Sequence, residues 1–94
     1  MDKITGIFIW DESKEKDNIG KHGVDFIVAS RAFLDPKRKI YVDSGHSERE
    51  ERLFCIGKVG NKIMTVRFTY RQGMIRIIGA GYWRKGKVYY EKED

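Results

Sequence analysis

Four segments of this 94-residue chain carry side chains able to do chemistry. The first is Lys21-His22-Gly23. A histidine titrates near neutral pH and can pass a proton, and a lysine beside it can hold a phosphate. The same residues also suit the end of a helix, where cations complement the dipole and glycine stops the turn. The second is the run of arginines Arg67, Arg71 and Arg76, whose planar forks match phosphate. The third is His46-Ser47-Glu48-Arg49-Glu50-Glu51-Arg52. His46 and Glu50 are spaced to meet on a helical turn, but no third ligand lies nearby, so a metal site is not expected. The glutamates read as solvated charges paired with Arg49 and Arg52. The fourth is Tyr82-Trp83-Arg84-Lys85-Gly86-Lys87, where rings alternate with cations. Single-stranded nucleic acid is bound by such mixtures, because bases stack on rings while cations hold phosphates. The alternative is that Tyr82 and Trp83 pack on the edge of the core, and one packed ring with one exposed is expected.

Charge is distributed unevenly. Residues 1–51 carry nine basic and eleven acidic side chains, a net of −2. Residues 52–90 carry nine basic side chains and no acidic one, within a total net charge of +5. Such a surface suits an acidic partner.

The elements that must position these groups follow from local patterns. Ile7-Phe8-Ile9-Trp10 is a strand candidate. Asp11 suits an N-cap, with Glu12 and Glu15 in the first turn, and the helix should run to His22, with Gly23 as its C-cap. Asp25 can cap a second, shorter helix with Phe26, Ala29, Ala32 and Phe33 on one face. Asp35-Pro36 ends it. Ile40-Tyr41-Val42 is a short strand, and residues 43–51 form a loop with room for one helical turn. Strands follow over 52–59, 62–71 and 74–80, separated by Gly60-Asn61 reversed and Gln72-Gly73 turns. Gly79 and Gly81 end or kink the last.

Strands joined by two-residue turns pair antiparallel. The fold class is therefore α+β: two N-terminal helices packed on one face of a mainly antiparallel sheet, leaving the other face free. Alternation sends Met64, Val66, Phe68 and Tyr70 to the core face, and Thr65, Arg67, Thr69 and Arg71 to the open one. Ile75 and Ile77 join the core and Arg76 the open face. Arg67, Arg71 and Arg76 then converge, with no carboxylate in those strands to neutralise them. A solvated basic face, a surface for an acidic protein, and a grip for a polyanion all fit this pattern.

One domain over residues 1–94 is expected. The lone Cys55, in an apolar run, reads as a buried hydrophobe and excludes an intrachain disulfide. The N-terminus lacks the apolar core of a signal peptide, and no apolar stretch approaches the ~20 residues of a membrane span. A cytoplasmic protein without membrane contact is expected.

Taken together, these segments resemble the BrnT family of toxins. The matching pattern is Trp10-Asp11, Lys14, Asn18, Lys21-His22-Gly23-Val24, Phe26, Ala29, Phe33 and Asp35. It continues with Asp43, His46-Ser47, Glu51-Arg52, Ile56-Gly57, Thr69, Arg71 and Ile75-Arg76-Ile77-Ile78, covering about residues 8 to 80. The resemblance implies a RelE-like fold and a metal-independent endoribonuclease that inhibits translation. It also implies a hetero-oligomer with a small DNA-binding antitoxin of the BrnA type, and no cofactor. The commoner family form continues with Ser-Ala-Arg, whereas this chain reads Gly79-Ala80-Gly81-Tyr82-Trp83, so the arginine expected at position 81 is absent. Lys21, His22, Arg71 and Arg76 are the catalytic candidates, the first two for proton transfer and the arginines for charge, with Arg67 assisting. Tyr82 is a lesser proton-transfer candidate. Arg52, Arg67, Tyr82, Arg84 and Lys85 are the expected RNA contacts. A non-catalytic module that binds nucleic acid or the antitoxin is the alternative.

Overall fold

A computed structural model describes residues 1–46 and 50–92. It opens with a strand that the sequence pattern does not signal, β1 (Asp2–Thr5), paired antiparallel with β2 (Phe8–Asp11). All four β1 residues are exposed, so the strand lacks the buried alternation by which strands are recognised. Asp11 caps α1 (Glu12–His22) as expected: its Oδ1 accepts from the Ser13 amide at 2.8 Å and the Ser13 hydroxyl at 2.5 Å. These bonds, the hydroxyl's foremost, hold the Asp11 carboxyl down at about 2. Gly23 ends the helix in the left-handed conformation (φ 68°), its amide donating to the Ile19 carbonyl.

Glu15 does more than face the helix dipole. Its Oε1 accepts from the Trp10 indole at 3.1 Å and its Oε2 from the Phe26 amide at 2.9 Å. One carboxylate thus satisfies the buried indole and an orphan donor at the start of α2 (Phe26–Ser30). Asp25 caps α2 through the Val28 amide. The second helix is shorter than the apolar pattern suggests: after Ser30 it tightens into a 3₁₀ turn, Arg31–Leu34, which still buries Ala32.

Then come β3 (Lys39–Val42), a 3₁₀ turn at Ser44–His46, β4 (Arg52–Val59), β5 (Lys62–Arg71), β6 (Met74–Gly81) and α3 (Arg84–Glu91). Ser47, Glu48 and Arg49 lie outside the described residues, and with them the pairing expected of Glu48 and Arg49. The sheet has six strands in the order β1-β2-β6-β5-β4-β3. Every pairing is antiparallel except β2 with β6, which is parallel. That crossover is not legible from turn signals, because β2 and β6 are 62 residues apart along the chain.

The core lies between the sheet and α1, α2 and the first 3₁₀ turn. Trp10, Phe26, Met64, Val66, Phe68 and Ile77 are almost wholly buried there, each side chain contributing about 1.5–3 kcal/mol of transfer free energy. Trp10 meets Phe26 edge-on with centroids 6.0 Å apart. Cys55 is buried as expected, and burial pushes its thiol up to about 12. Tyr70 lies on this face too, yet it is exposed, its ring edge-on to Phe68 with centroids 5.4 Å apart.

The two-layer expectation needs correction. The segment read as a basic tail folds into α3 and lies on the opposite face from α1 and α2. Gly86 of α3 sits against Thr65 and Ile56, which pair with one another on β5 and β4 and point away from the core. The expected free face is therefore half covered.

α1 is stitched to the sheet by one side chain. β2 reaches β6 at Ile75 and Arg76, so among the described residues the β6 edge at Ala80 has no strand partner on that side. Asn18 takes that place: its amide nitrogen donates to the Ala80 and Val24 carbonyls, both at 2.9 Å, and its Oδ1 accepts from the Ala80 amide at 3.1 Å. Asn18 is only 7% exposed, so none of these groups has an easy replacement in water. Asn18→Ala should lower stability by about 2–4 kcal/mol, read as a fall in urea midpoint at constant m-value.

A pH effect follows from Asp11. Its folded carboxyl titrates below its ordinary value of 3.8, so the cap contributes fully above about pH 4 and is lost as pH falls through about 2. Asp11→Asn should flatten the acid-denaturation curve between those values, the variant and parent converging at the acid end.

Candidate nucleic-acid interface

Alternation and register place four arginines around one threonine. Thr69, on β5, is opposed by Arg52 on β4 and by Arg76 on β6. Arg67 and Arg71 lie two residues before and after it on the same strand. Paired residues and alternate residues share a face, so all four project from the side away from the core. Thr69 itself is 1% exposed, its hydroxyl donating to the Glu51 carbonyl at 2.7 Å.

Arg76, Arg71 and Arg67 each meet a carboxylate from outside the three strands. Arg76 forms a two-pronged pair with Asp2 of β1, at 3.0 and 3.1 Å. This pairing raises the guanidinium's affinity for its proton and lowers that of Asp2. Arg71 donates to both oxygens of Glu50 at 3.0 and 3.1 Å, a pairing across the face that the loop sequence does not signal. Arg67 is held less tightly. Its Nε stands 3.8 Å from Asp43 Oδ2 and makes no hydrogen bond among the described residues, while its guanidinium carbon lies 5.7 Å from the Phe54 ring centre.

Arg67 also borders two clefts. The larger, about 560 Å³, lies between β3, the face of β4 and β5, and α3. Tyr41, Asp43, Phe54, Trp83, Lys85 and Tyr89 line it together with Arg67. The smaller, about 280 Å³, lies between α1 and the bulged stretch of β6, where Lys14, Asp17, Lys21 and His22 face Ile78 and Gly79. The register slips by one residue between Arg67 and Phe68, leaving Ile78 as the extra residue, and this opens the sheet beside Gly79. Arg67 and Trp83 line both clefts. The Trp83 ring meets the His22 ring edge-on at 5.1 Å, so the end of α1 reaches the cationic face around the edge of the sheet.

Trp83 stands where the sequence departs from the commoner family pattern. A Cβ at Gly81 would lie 2.9 Å from the indole. The position expected to carry arginine is thus occupied by the neighbouring ring. Tyr82 and Trp83 are nearly equally exposed, at 45% and 40%, rather than one packed and one free.

α3 forms one wall of the larger cleft and is pinned at both ends. Gly86 permits the close approach to Thr65, where a Cβ would fall 1.9 Å from Oγ1. At the far end Tyr90 donates to Asp35 at 2.5 Å and Lys39 Nζ donates to the Tyr89 and Lys92 carbonyls. Asp35 also accepts from the Lys58 amide at 2.7 Å. Burial raises the Asp35 carboxyl, but the bonds from Tyr90, Lys58 and Lys37 outweigh it and hold it low. Asp35 therefore ties α3 to β4, a role beyond ending the second helix.

The structure brings Lys21, His22, Arg67 and Lys85 together along the two clefts. Arg71 and Arg76 share the face but line neither cleft. Tyr82 lies outside both, with Lys62 Nζ 5.1 Å from its ring centre, and Arg84 is exposed at the start of α3. The sequence reading missed Trp83 as the wall between clefts, and Tyr41 and Asp43 as cleft residues. Alternation along Lys39–Val42 would have put Tyr41 on the arginine face, since it pairs with Phe54. Among the described residues no three His, Cys, Asp or Glu side chains cluster as metal ligands, and no helix is long and apolar enough to cross a membrane.

These features define a small α+β domain with a cationic, aromatic-lined cleft on the sheet face opposite its core. A family model described as the ribonuclease toxin BrnT of type II toxin–antitoxin systems matches residues 10–86. The chain belongs to that family. A search of curated proteins returns no match.

The close contact of α3 yields a test of how the cleft is built. Gly86→Ala should cost about 1–3 kcal/mol of stability through overpacking. Gly86→Ala combined with Thr65→Ala removes the clashing oxygen and should recover most of that loss, read by thermal melts of both variants side by side.

Proposed function

We propose that this chain is the toxin half of a type II toxin–antitoxin pair, an endoribonuclease that cuts RNA without a metal and so inhibits translation. The observation that carries the proposal is the sharing of Arg67 and Trp83 between two clefts. One cleft holds Lys21 and His22, and the other holds Lys85 among aromatic rings. RNA bound along the groove would meet cations for its phosphates, rings for its bases and a proton-transfer pair in sequence. The fold in this proposal is RelE-like, with α3 as its C-terminal helix. The partner is a small DNA-binding antitoxin of the BrnA type, in a cytoplasmic hetero-oligomer.

The chemistry requires no cofactor. The ribose 2′-hydroxyl attacks the adjacent phosphorus and gives up its proton to a base. The P–O5′ bond breaks, and the departing 5′-oxygen takes a proton from an acid. The products are a 2′,3′-cyclic phosphate and a 5′-hydroxyl. In this proposal Lys21 and His22, which line the smaller cleft, serve proton transfer, with Tyr82 the lesser candidate because it lies outside both clefts. Arg67, not engaged in a tight ion pair, serves the negative charge that builds on the phosphorane oxygens. Arg71 and Arg76 add to it once phosphate displaces Glu50 and Asp2. Arg52, Arg84 and Lys85 hold flanking phosphates.

Purified protein incubated with RNA in excess EDTA should generate fragments ending in cyclic phosphate. Arg67→Ala and His22→Ala should each reduce the cleavage rate by about 10²–10³-fold, with thermal midpoints within a few degrees of the parent. Intact RNA bound with steep salt dependence would reassign the chain to a non-catalytic binding module. Unchanged rates in both variants would move the site elsewhere.

A further inference from the structure

β3 closes one end of the sheet, with β4 on one side and, among the described residues, no strand on the other. Its backbone is oriented for a further pairing. The Asp43 amide donates to the Arg52 carbonyl, and Tyr41 and Lys39 stand opposite Phe54 and Ile56 in the same register. Hydrogen-bonded pairs alternate along an antiparallel ladder, so Lys39, Tyr41 and Asp43 turn their N–H and C=O groups toward β4. Ile40 and Val42 turn theirs outward. The side chains of these two lie on the core face, opposite Cys55 and Leu53, yet they are 42% and 54% exposed. We propose that β3 pairs with β3 of a second copy of this chain, antiparallel about a two-fold axis normal to the sheet at Tyr41.

The stretch Lys39-Ile40-Tyr41-Val42-Asp43 is complementary to its own reverse. Residues opposite one another in an antiparallel pair share a face. On the core face Ile40 meets Val42 of the copy, covering two apolar side chains that each protomer leaves in water. On the other face Tyr41 meets Tyr41 on the axis. Lys39 lies opposite Asp43, so the charges brought together are of unlike sign. Both keep their contacts inside the protomer, Lys39 with the Tyr89 and Lys92 carbonyls and Asp43 with Arg67, and the pairing asks no new bond of them. The outward backbone groups belong to Ile40 and Val42, so each Ile40–Val42 pair exchanges both of its ladder bonds. Moving the axis to Ile40 would set Arg38 against Val42, and moving it to Val42 would set Asp43 against Tyr41. The opposite edge of the sheet is guarded: β1 carries Asp2 and Lys3, and an axis at Lys3 would oppose two ammonium groups. β3 has no charge at its three middle positions. Because Tyr41 lines the larger cleft, the pairing sets the two larger clefts side by side on one face.

Sedimentation of the whole protein from about 1 μM to 1 mM should show a reversible monomer–dimer equilibrium, as befits a small interface. Val42→Lys sets a cation beside Ile40 of the copy and should leave a monomer over the whole range. Its thermal midpoint should match the parent, since the side chain is already half exposed. Val42→Pro removes an outward N–H that β4 does not use and should weaken association at least ~10-fold. Cysteine substitution reads the register directly. Tyr41→Cys should form an interchain disulfide on mild oxidation, because partners in a non-hydrogen-bonded pair have Cα atoms ~4.5 Å apart, within disulfide reach. Val42→Cys, at the more exposed position, should stay unlinked, since its counterpart in the copy lies diagonally away. Ile40→Cys with Val42→Cys should link. Cys55 is buried and stays out of these reactions. A parent that is monomeric throughout overturns the proposal, as does a dimer that Val42→Lys leaves intact. Equal cross-linking at 41 and 42 overturns the register.

Discussion

The arrangement of this domain depends on satisfying one short stretch of strand edge. β6 outruns its parallel neighbour β2, and a buried backbone edge without partners is costly. The Asn18 carboxamide closes that edge at Ala80 and takes up the Val24 carbonyl as well. A carboxamide suits the task because it donates and accepts in one plane, as a peptide group does. The bond ties the middle of α1 to the sheet, and α1 then runs along the sheet margin. Its last turn, with Lys21 and His22, is thereby delivered beside Trp83. The position of the proton-transfer candidates is a downstream result of how a strand edge is capped.

Electrostatics on the arginine face follow from the same economy of placement. Four arginines around Thr69 would repel one another strongly if left alone. Arg76 and Arg71 meet carboxylates at hydrogen-bond distance from remote parts of the chain, Asp2 from the first strand and Glu50 from the loop before β4. The face is thus folded with internal counterions. These side chains, already in place, soften the cost of assembling like charges in the free protein. Arg67 differs because its acidic neighbour is at a longer distance and its Nε lacks a hydrogen bond.

Much of this was legible in the residues where the determinant is local. Asp11 and Asp25 announce helix starts by side-chain geometry, Gly23 announces an end by its backbone freedom, and alternation along 62–71 sorts the core from the arginine face. What was not legible is long-range or conditional. β1 has no buried side to betray it. The parallel contact of β2 with β6 depends on the whole sheet. α3 reads as a basic tail because its packing rests on Gly86, a residue that disfavours helices in isolation and is used here for closeness to Thr65. The counterions Asp2 and Glu50 lie far in sequence from the arginines they meet, so charge counting within the strands overlooked them. The site was legible in its residue types, but its division into two clefts depends on Trp83 and the slipped register of β6.

Gly81 and Trp83 bear on how sequences of this kind can diverge. A side chain at 81 and the indole at 83 compete for one volume, so neither position drifts independently of the other. Placing an arginine at 81 alone would produce a crowded intermediate, and shrinking Trp83 alone would leave a hollow. Passage between the two solutions requires paired replacement, or a backbone shift that accommodates both. Branches of the family are then expected to separate into two discrete groups at these sites, with mixed combinations rare.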